Sequence, residues 1–332
     1  MNVLFLGGSN TWGAGADDYS ESYAAKTAAY LQSRFTNTNI YNAAIGGTGT
    51  RLCAFQIDRL LEESRPDMVF IEYSINDSGL ALTNENQVLI DTEYVVRSIL
   101  KSNPKAYILM LLFAKKDFLS CTKTHIKIAK HYGLDYIELQ EPMRELTKDA
   151  ALWDDYFVDA VHPNPRGYQF YFDHIQAFLD SQPDNYFVRN EKIPDTYLPS
   201  SYNLPRIFPA VQLLKHPIWT ETTYRDIKHW DSVYINRYLH CNTIEAPVSF
   251  SFTGHTFGLY HLVRNDCGKL LITIDNQEHI LDCYYNCDGD FVSFFNVYDL
   301  CKGKHEVTIK LLSEHNPNSI GITAGIFGFL ID

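Results

Sequence analysis

The chain has 332 residues, 45% of them hydrophobic and 20% charged, a composition that supports a packed core and a length that points to about two domains. Forty acidic against 28 basic residues give a formal net charge of −12, which repels phosphate backbones and argues against nucleic acid as a partner. No apolar run reaches the length of a membrane span, and seven cysteines, an odd number, do not read as a disulfide framework, so most are expected to be free thiols.

The first half alternates strand-like runs with helical patterns, the signature of a parallel sheet covered on both faces and hence of a three-layer α/β domain. Strands are expected near Val3–Gly7, Ile40–Ala44, Met68–Tyr73, Ala106–Phe113 and Tyr136–Leu139. Helical periodicity occupies about Asp17–Phe35, Thr50–Glu63, Asn86–Ser102, Thr122–His131 and Pro165–Asp180. No basic segment followed by an apolar stretch precedes the first strand, which gives the expectation of a cytoplasmic protein. After Ser181 the prolines at 183, 194, 199, 205, 209 and 217 break up the pattern. The expected organisation is a domain over 1–182, a linker or extended segment over 183–232, and a β-rich domain over 233–332. In the last of these, runs at Val248–Thr253, Thr256–Leu262, Lys269–Ile274, His279–Tyr284, Phe291–Val297, His305–Leu312 and Ile320–Leu330 are separated by turn signals such as Asp275-Asn276 and Asp288-Gly289. They read as an antiparallel sandwich.

Chemistry enters at the ends of the strands. The run Val3-Leu4-Phe5-Leu6 stops at Gly7-Gly8 and is followed at once by Ser9. This places a hydroxyl at a strand's carboxyl end, the edge where ligands bind in open α/β sheets. Asp159-Ala160-Val161-His162 precedes the helix at Pro165 and supplies an imidazole and a carboxylate on one turn. A serine hydroxyl is a poor nucleophile until a base takes its proton, and that base works best when a carboxylate fixes its tautomer. Asn42-Ala43-Ala44-Ile45-Gly46-Gly47-Thr48 and Ser74-Ile75-Asn76-Asp77 follow two further strands. From these, the N–H of Gly47 and the carboxamide of Asn76, together with the N–H of Ser9, are candidate donors to a developing oxyanion. Taken singly, each of these residues is an ordinary turn or cap; their common place at successive strand ends of one sheet is what carries the reading.

In that order and spacing the residues resemble the SGNH (GDSL-type) hydrolase superfamily, with Gly7-Gly8-Ser9-Asn10-Thr11 as the nucleophile block, Asn42 to Gly47 as the glycine block, Ser74 to Asp77 as the third block and Asp159 to His162 as the last. Gly8 stands where the family usually has Asp, and Ser74 where it usually has Gly. The resemblance covers about residues 1–180 and implies a flavodoxin-like sheet and a metal-independent serine esterase that needs no cofactor. Ser9 would be the nucleophile, His162 the base and Asp159 its orienting carboxylate, with Ser9, Gly47 and Asn76 forming the oxyanion hole. Only Cys283 and Cys287 have even loosely ligand-like spacing, and no metal is expected. The β-rich half, through Phe252 to Leu259 and Ile272 to Asn276, resembles jelly-roll modules attached to some carbohydrate esterases. Its open roles are sugar binding, shaping the active-site rim and homo-oligomerisation. The expected substrate is an acylated carbohydrate or other small ester. An O-acyltransferase with the same residues, and an inactive carbohydrate-binding protein, are the alternatives.

Overall fold

In the computed structural model, which describes residues 1–189, 192–199, 202, 205–213, 217–223, 237–244, 246–287, 291–297 and 300–332, the five apolar runs of the first half become five parallel strands. These are β1 (Asn2–Gly7), β2 (Asn39–Asn42), β3 (Met68–Glu72), β4 (Tyr107–Leu112) and β5 (Asp135–Glu138), in the order β2-β1-β3-β4-β5. Because β2 lies on one side of β1 and β3 on the other, the chain reverses its direction of travel across the sheet at β1. The carboxyl ends of β1 and β3 therefore flank the crevice of a flavodoxin-like switch point. The register pairs Gly7 with Glu72 at that edge.

The strands read as continuous apolar runs because both faces are covered. Val3, Phe5, Phe70, Leu109 and Leu111 join one core with Tyr23 and Leu31 of α2 (Tyr23–Arg34) and Tyr168, Tyr171 and Ile175 of α7 (Pro165–Asp180). Leu4, Leu6, Val69, Ile71 and Met110, which alternate with them, are also buried. Each such side chain contributes about 1.5–3 kcal/mol on burial. Between these lie α1 (Ser9–Trp12), α3 (Thr50–Ser64), α4 (Ser78–Ser102), α5 (Thr122–Tyr132) and α6 (Gln140–Leu146).

Two helix starts differ from expectation, and two short helices are additional. The pattern from Asp17 begins its α-helix only at Tyr23, because the Ser22 hydroxyl accepts the Ala25 N–H and caps it, while Asp18 caps a short 3-10 turn over Tyr19–Glu21. The helix expected from Asn86 extends back to Ser78, with a break at Asn84 (φ −152°, ψ 76°) whose side chain accepts the Gln87 N–H and restarts it. The helices α1 and α6 are too short to show a period and were not expected.

Residues 183–232 are not one linker. Phe187 is buried in the first core, and Glu93 accepts the Leu198 N–H at 3.0 Å, so this part belongs with the α/β unit. Arg206–Pro209 (β6) and Thr220–Thr223 (β7) are strands of the second unit, with α8 (Ala210–Leu213) between them. Proline removes a ladder donor and is confined to such short or edge strands, which is why the segment lacks any periodic signal. Within the expected linker, residues 190–191, 200–201, 203–204, 214–216 and 224–232 lie outside the described residues. By contacts the chain divides into Met1–Ser201 and Tyr202–Asp332.

The second unit is an antiparallel sandwich. One sheet runs β13-β10-β15-β8-β7, with β6 added on β15, and the other runs β12-β11-β14-β9. Here β8 is Arg237–Cys241, β9 Val248–Gly254, β10 Phe257–Val263, β11 Lys269–Ile274, β12 Gln277–Asp282, β13 Phe291–Val297, β14 Gly303–Leu311 and β15 Ala324–Ile331. Phe250 of β9 packs on Phe257 and Phe329 of the facing sheet. The Asp275-Asn276 signal is a two-residue hairpin turn with φ of 47° and 74°, whereas Asp288-Gly289 lies outside the described residues.

Candidate active site

Ser9 is the first residue of α1, directly after β1, so its N–H has no acceptor inside the helix. Trp12 N–H donates to Gly8 O and closes the turn, and Gly13, at φ 101°, ends it. The glycine block is tied to this turn: Ile45 N–H donates to Gly7 O at 3.0 Å, and Asn42 Nδ2 donates to Thr11 O at 3.2 Å. Gly47 has φ 73° with open space around its Cα, so the left-handed backbone, not crowding, requires glycine there.

The loop from Phe157 to Pro163 is held from several sides. Phe157 and Pro163 form a bridge, Val158 N–H donates to His162 O, and the buried Trp153 donates its Nε1–H to Asp159 O at 2.7 Å. Lys116 N–H donates to Ala160 O, which anchors the loop to the segment after β4. Asn164 then caps α7, accepting the N–H groups of Arg166 and Gly167, with Pro165 in the first turn. Asp159 Oδ1 accepts the N–H groups of Val161 and His162, both at 2.8 Å, which leaves Oδ2 for the imidazole.

The result is a hydrogen-bonded chain across 153 residues of sequence: His162 Nε2 lies 2.9 Å from Ser9 Oγ, and His162 Nδ1 lies 2.7 Å from Asp159 Oδ2. With the carboxylate accepting at Nδ1, that nitrogen carries the proton and Nε2 is free to accept from the serine hydroxyl. Burial disfavours the Asp159 anion, but the hydrogen bonds from the His162 ring and from the Val161 and His162 N–H groups outweigh it, and its pKa is lowered from the usual 3.8.

Asn76 packs on the residue before Ser9: a Cβ at Gly8 would fall 2.2 Å from Asn76 Oδ1. Gly8 stands where the family usually has Asp, and here the Asn76 carboxamide occupies the space that a side chain would take. Ser74, where the family usually has Gly, puts its hydroxyl to use, accepting the Phe113 N–H at 2.9 Å and joining the ends of β3 and β4. The next residue of the third block, Asp77, is buried and accepts from Thr50 N at 3.0 Å, Thr50 Oγ1 at 2.7 Å and His125 Nε2 at 3.1 Å. It caps α3 and pins the loop carrying Asn76. The structure thus joins Ser9, His162 and Asp159 directly, sets Asn76 beside them and places Gly47 on the loop bound to the end of β1. Sequence reasoning did not find the supports Trp153, Thr11 and Glu72: Thr11 and Glu72 meet only because β1 and β3 pair, and Trp153 acts on a backbone oxygen six residues on, which no side-chain motif encodes.

Residues 5–170 match the model of the GDSL-like lipase/acylhydrolase family. The chain belongs to that family. It is accordingly a serine ester hydrolase of SGNH type. Among solved structures it is similar to a two-domain esterase active on acetylated mannans, with a TM-score of 0.80 and 18% identity over 99% of this chain and 90% of that chain. The same two-domain esterase co-crystallised with mannopentaose matches equally. A psychrotrophic esterase, EstA from Pseudoalteromonas sp., is similar over 54% of this chain and 96% of that chain, with 19% identity and a TM-score of 0.45. No curated protein sequence matches the chain.

Proposed function

We propose that this protein removes short acyl groups, acetyl foremost, from a carbohydrate through an acyl-enzyme on Ser9. The observation that carries the reading is the chain Ser9 Oγ, His162 Nε2, His162 Nδ1, Asp159 Oδ2 at 2.9 and 2.7 Å, standing at the switch point of the sheet. As Ser9 Oγ bonds to the acyl carbon, its proton passes to His162 Nε2 and the carbonyl electrons move to oxygen. The Ser9 and Gly47 N–H groups and the Asn76 carboxamide donate to that oxyanion. Collapse breaks the bond to the sugar oxygen, which takes the proton from Nε2 and leaves as an alcohol. Water then attacks the acyl carbon, gives a proton to Nε2, and the acid departs as Ser9 Oγ regains its proton. Asp159 stabilises the imidazolium in both halves.

For the substrate, the support is the likeness along nearly the whole chain to the two-domain esterase active on acetylated mannans. The test compares aryl acetate with longer aryl esters, then measures acetate released from acetylated mannan, with Ser9→Ala as the blank. Acetate release that depends on Ser9 is expected. Transfer of the acyl group to a supplied glycan outpacing its release to water would replace this reading with an O-acyltransferase.

A further inference from the structure

The last residue of β3, Glu72, is 1% exposed, yet nothing in the mechanism above uses it. It lies in register with Gly7, beneath the turn that presents Ser9. Its carboxyl accepts the N–H of Gly8, and Thr11 Oγ1 donates to its Oε2 at 3.2 Å. Thr11 in turn shares a 2.7 Å hydrogen bond with the hydroxyl of the buried Tyr23. Glu72 thus holds the turn at both ends of the four-residue stretch from Gly8 to Thr11. Among the described residues its Oε1 has no hydrogen-bond partner. The titratable groups facing it are Tyr23 from α2, Tyr73 and Asp77 from the β3–α4 loop, Cys121 ahead of α5, and Tyr168 and Tyr171 from α7, and none of them is a cation. A carboxylate buried with no compensating positive charge is costly, whereas a carboxyl group that keeps its proton is not.

We infer that Glu72 is a positioning residue that works as a neutral carboxyl group, holding the Ser9 turn through Gly8 and Thr11, and that loss of its proton switches the site off. Desolvation pushes its pKa up from 4.5 to about 8, against the hydrogen bonds from Thr11 and Gly8, with the Asp77 charge adding to the rise. Above that range solvent hydroxide takes the proton and leaves a buried anion bonded to the peptide next to Ser9. Its field opposes the negative charge that builds on the substrate oxygen, which the Ser9 N–H is there to receive. Glu72 thereby gives the pH profile an alkaline limb.

This inference rests on the esterase reading, and the experiment separates the two. The kcat/KM of the full chain on an aryl acetate is measured from about pH 6 to about pH 9.5, a window in which ordinary carboxyl groups have already ionised. The wild type is expected to lose activity above about pH 8. Glu72→Gln keeps an acceptor for Gly8 and cannot ionise, so it should be active with no alkaline limb. Glu72→Ala, which removes the acceptor and lets the turn shift, should lose about 10²-fold in kcat at neutral pH. Infrared spectra of the same proteins supply a readout that does not depend on activity or on the Ala variant folding. The wild type should show a protonated-carboxyl stretch at neutral pH that fades in the alkaline limb and is missing from Glu72→Gln. An active wild type that lacks the band, or a Glu72→Gln protein that keeps the alkaline limb, overturns the role of Glu72 alone. A wild type with the band and no esterase activity at any pH overturns the reading on which the role depends.

Discussion

His162 is the only side chain hydrogen-bonded to both Ser9 and Asp159 among the described residues, so the nucleophile and its base stand or fall together. Ser9→Ala and His162→Ala should each nearly abolish turnover, and combining them should cost little more than either alone, because the pair acts as a unit. The check is kcat for the two single variants and the double variant on one aryl ester. A double variant far below both singles would mean that the two side chains act independently. Asp159→Asn should lower kcat by up to about 10⁴, since an amide at Oδ2 no longer stabilises the imidazolium, although Oδ1 can still accept the Val161 and His162 N–H groups and hold the loop. Full activity in Asp159→Asn would reduce that residue to a loop-closing turn. These residues were readable beforehand because the last block puts acid and base on one turn, a purely local pattern. Glu72 was not, because in sequence it is one more residue at the end of an apolar run. Its importance comes from the β1–β3 register, which sets it opposite Gly7 at the start of the Ser9 turn.

The turn between β1 and α1 is the element on which the site depends most tightly. A Cβ at Gly8 would sit 2.2 Å from Asn76 Oδ1, closer than any non-bonded contact allows, so Gly8→Ala should push the Asn76 carboxamide away from the oxyanion. Asn76→Ala removes one donor and is expected to cost roughly 10²–10³ in kcat. If Gly8→Ala acts by displacing Asn76, its own loss should fall in the same range and the two should not add in the double variant. Additive losses would show that Gly8 serves the turn by a route that does not pass through Asn76. At the other side of the site, the Asn164 side chain caps α7 with two backbone hydrogen bonds and otherwise donates to Asp155 O, not to Ser9 or His162. Asn164→Ala should therefore cost about 0.5–2 kcal/mol of stability, read from urea unfolding, with a much smaller effect on kcat. Helices such as α3, α5 and α7 were legible because each runs for at least eleven residues with apolar positions recurring at helical spacing. The element α1 was not, since four residues make barely one turn and their helical form is set by the β1 turn and Gly13.

At the scale of the whole molecule, the alternation of strand and helix made the parallel sheet readable, and short runs between turn residues did the same for the sandwich. The strands β6 and β7 escaped because each is only four residues long, β6 ends on Pro209, and their pairing partners, β15 and β8, lie later in the chain. Burial of ionisable groups inside the α/β unit has a consequence for global stability. Glu72 has a folded-state pKa of about 8 against an ordinary value of 4.5, so between these values the folded chain binds a proton that the unfolded chain has released. Stability from this group is therefore complete below the ordinary value and is lost progressively as the pH rises toward the folded value. Asp159 has the opposite sign: its lowered pKa supports the fold above the ordinary 3.8, and that support disappears only as the pH falls below it. Across the neutral range the two do not cancel, because Asp159 is ionised in both states there while Glu72 is not. Glu72→Gln removes only the pH-dependent part. The variant should accordingly gain on the wild type as the pH rises from about 5 to about 8, and the gap should level off beyond the folded value. Urea midpoints of both proteins across this range, followed by the fluorescence of the buried Trp153, measure that gap. A gap that stays constant with pH would mean that Glu72 titrates alike in the folded and unfolded chains, and that its carboxyl reaches solvent or a cation despite its burial.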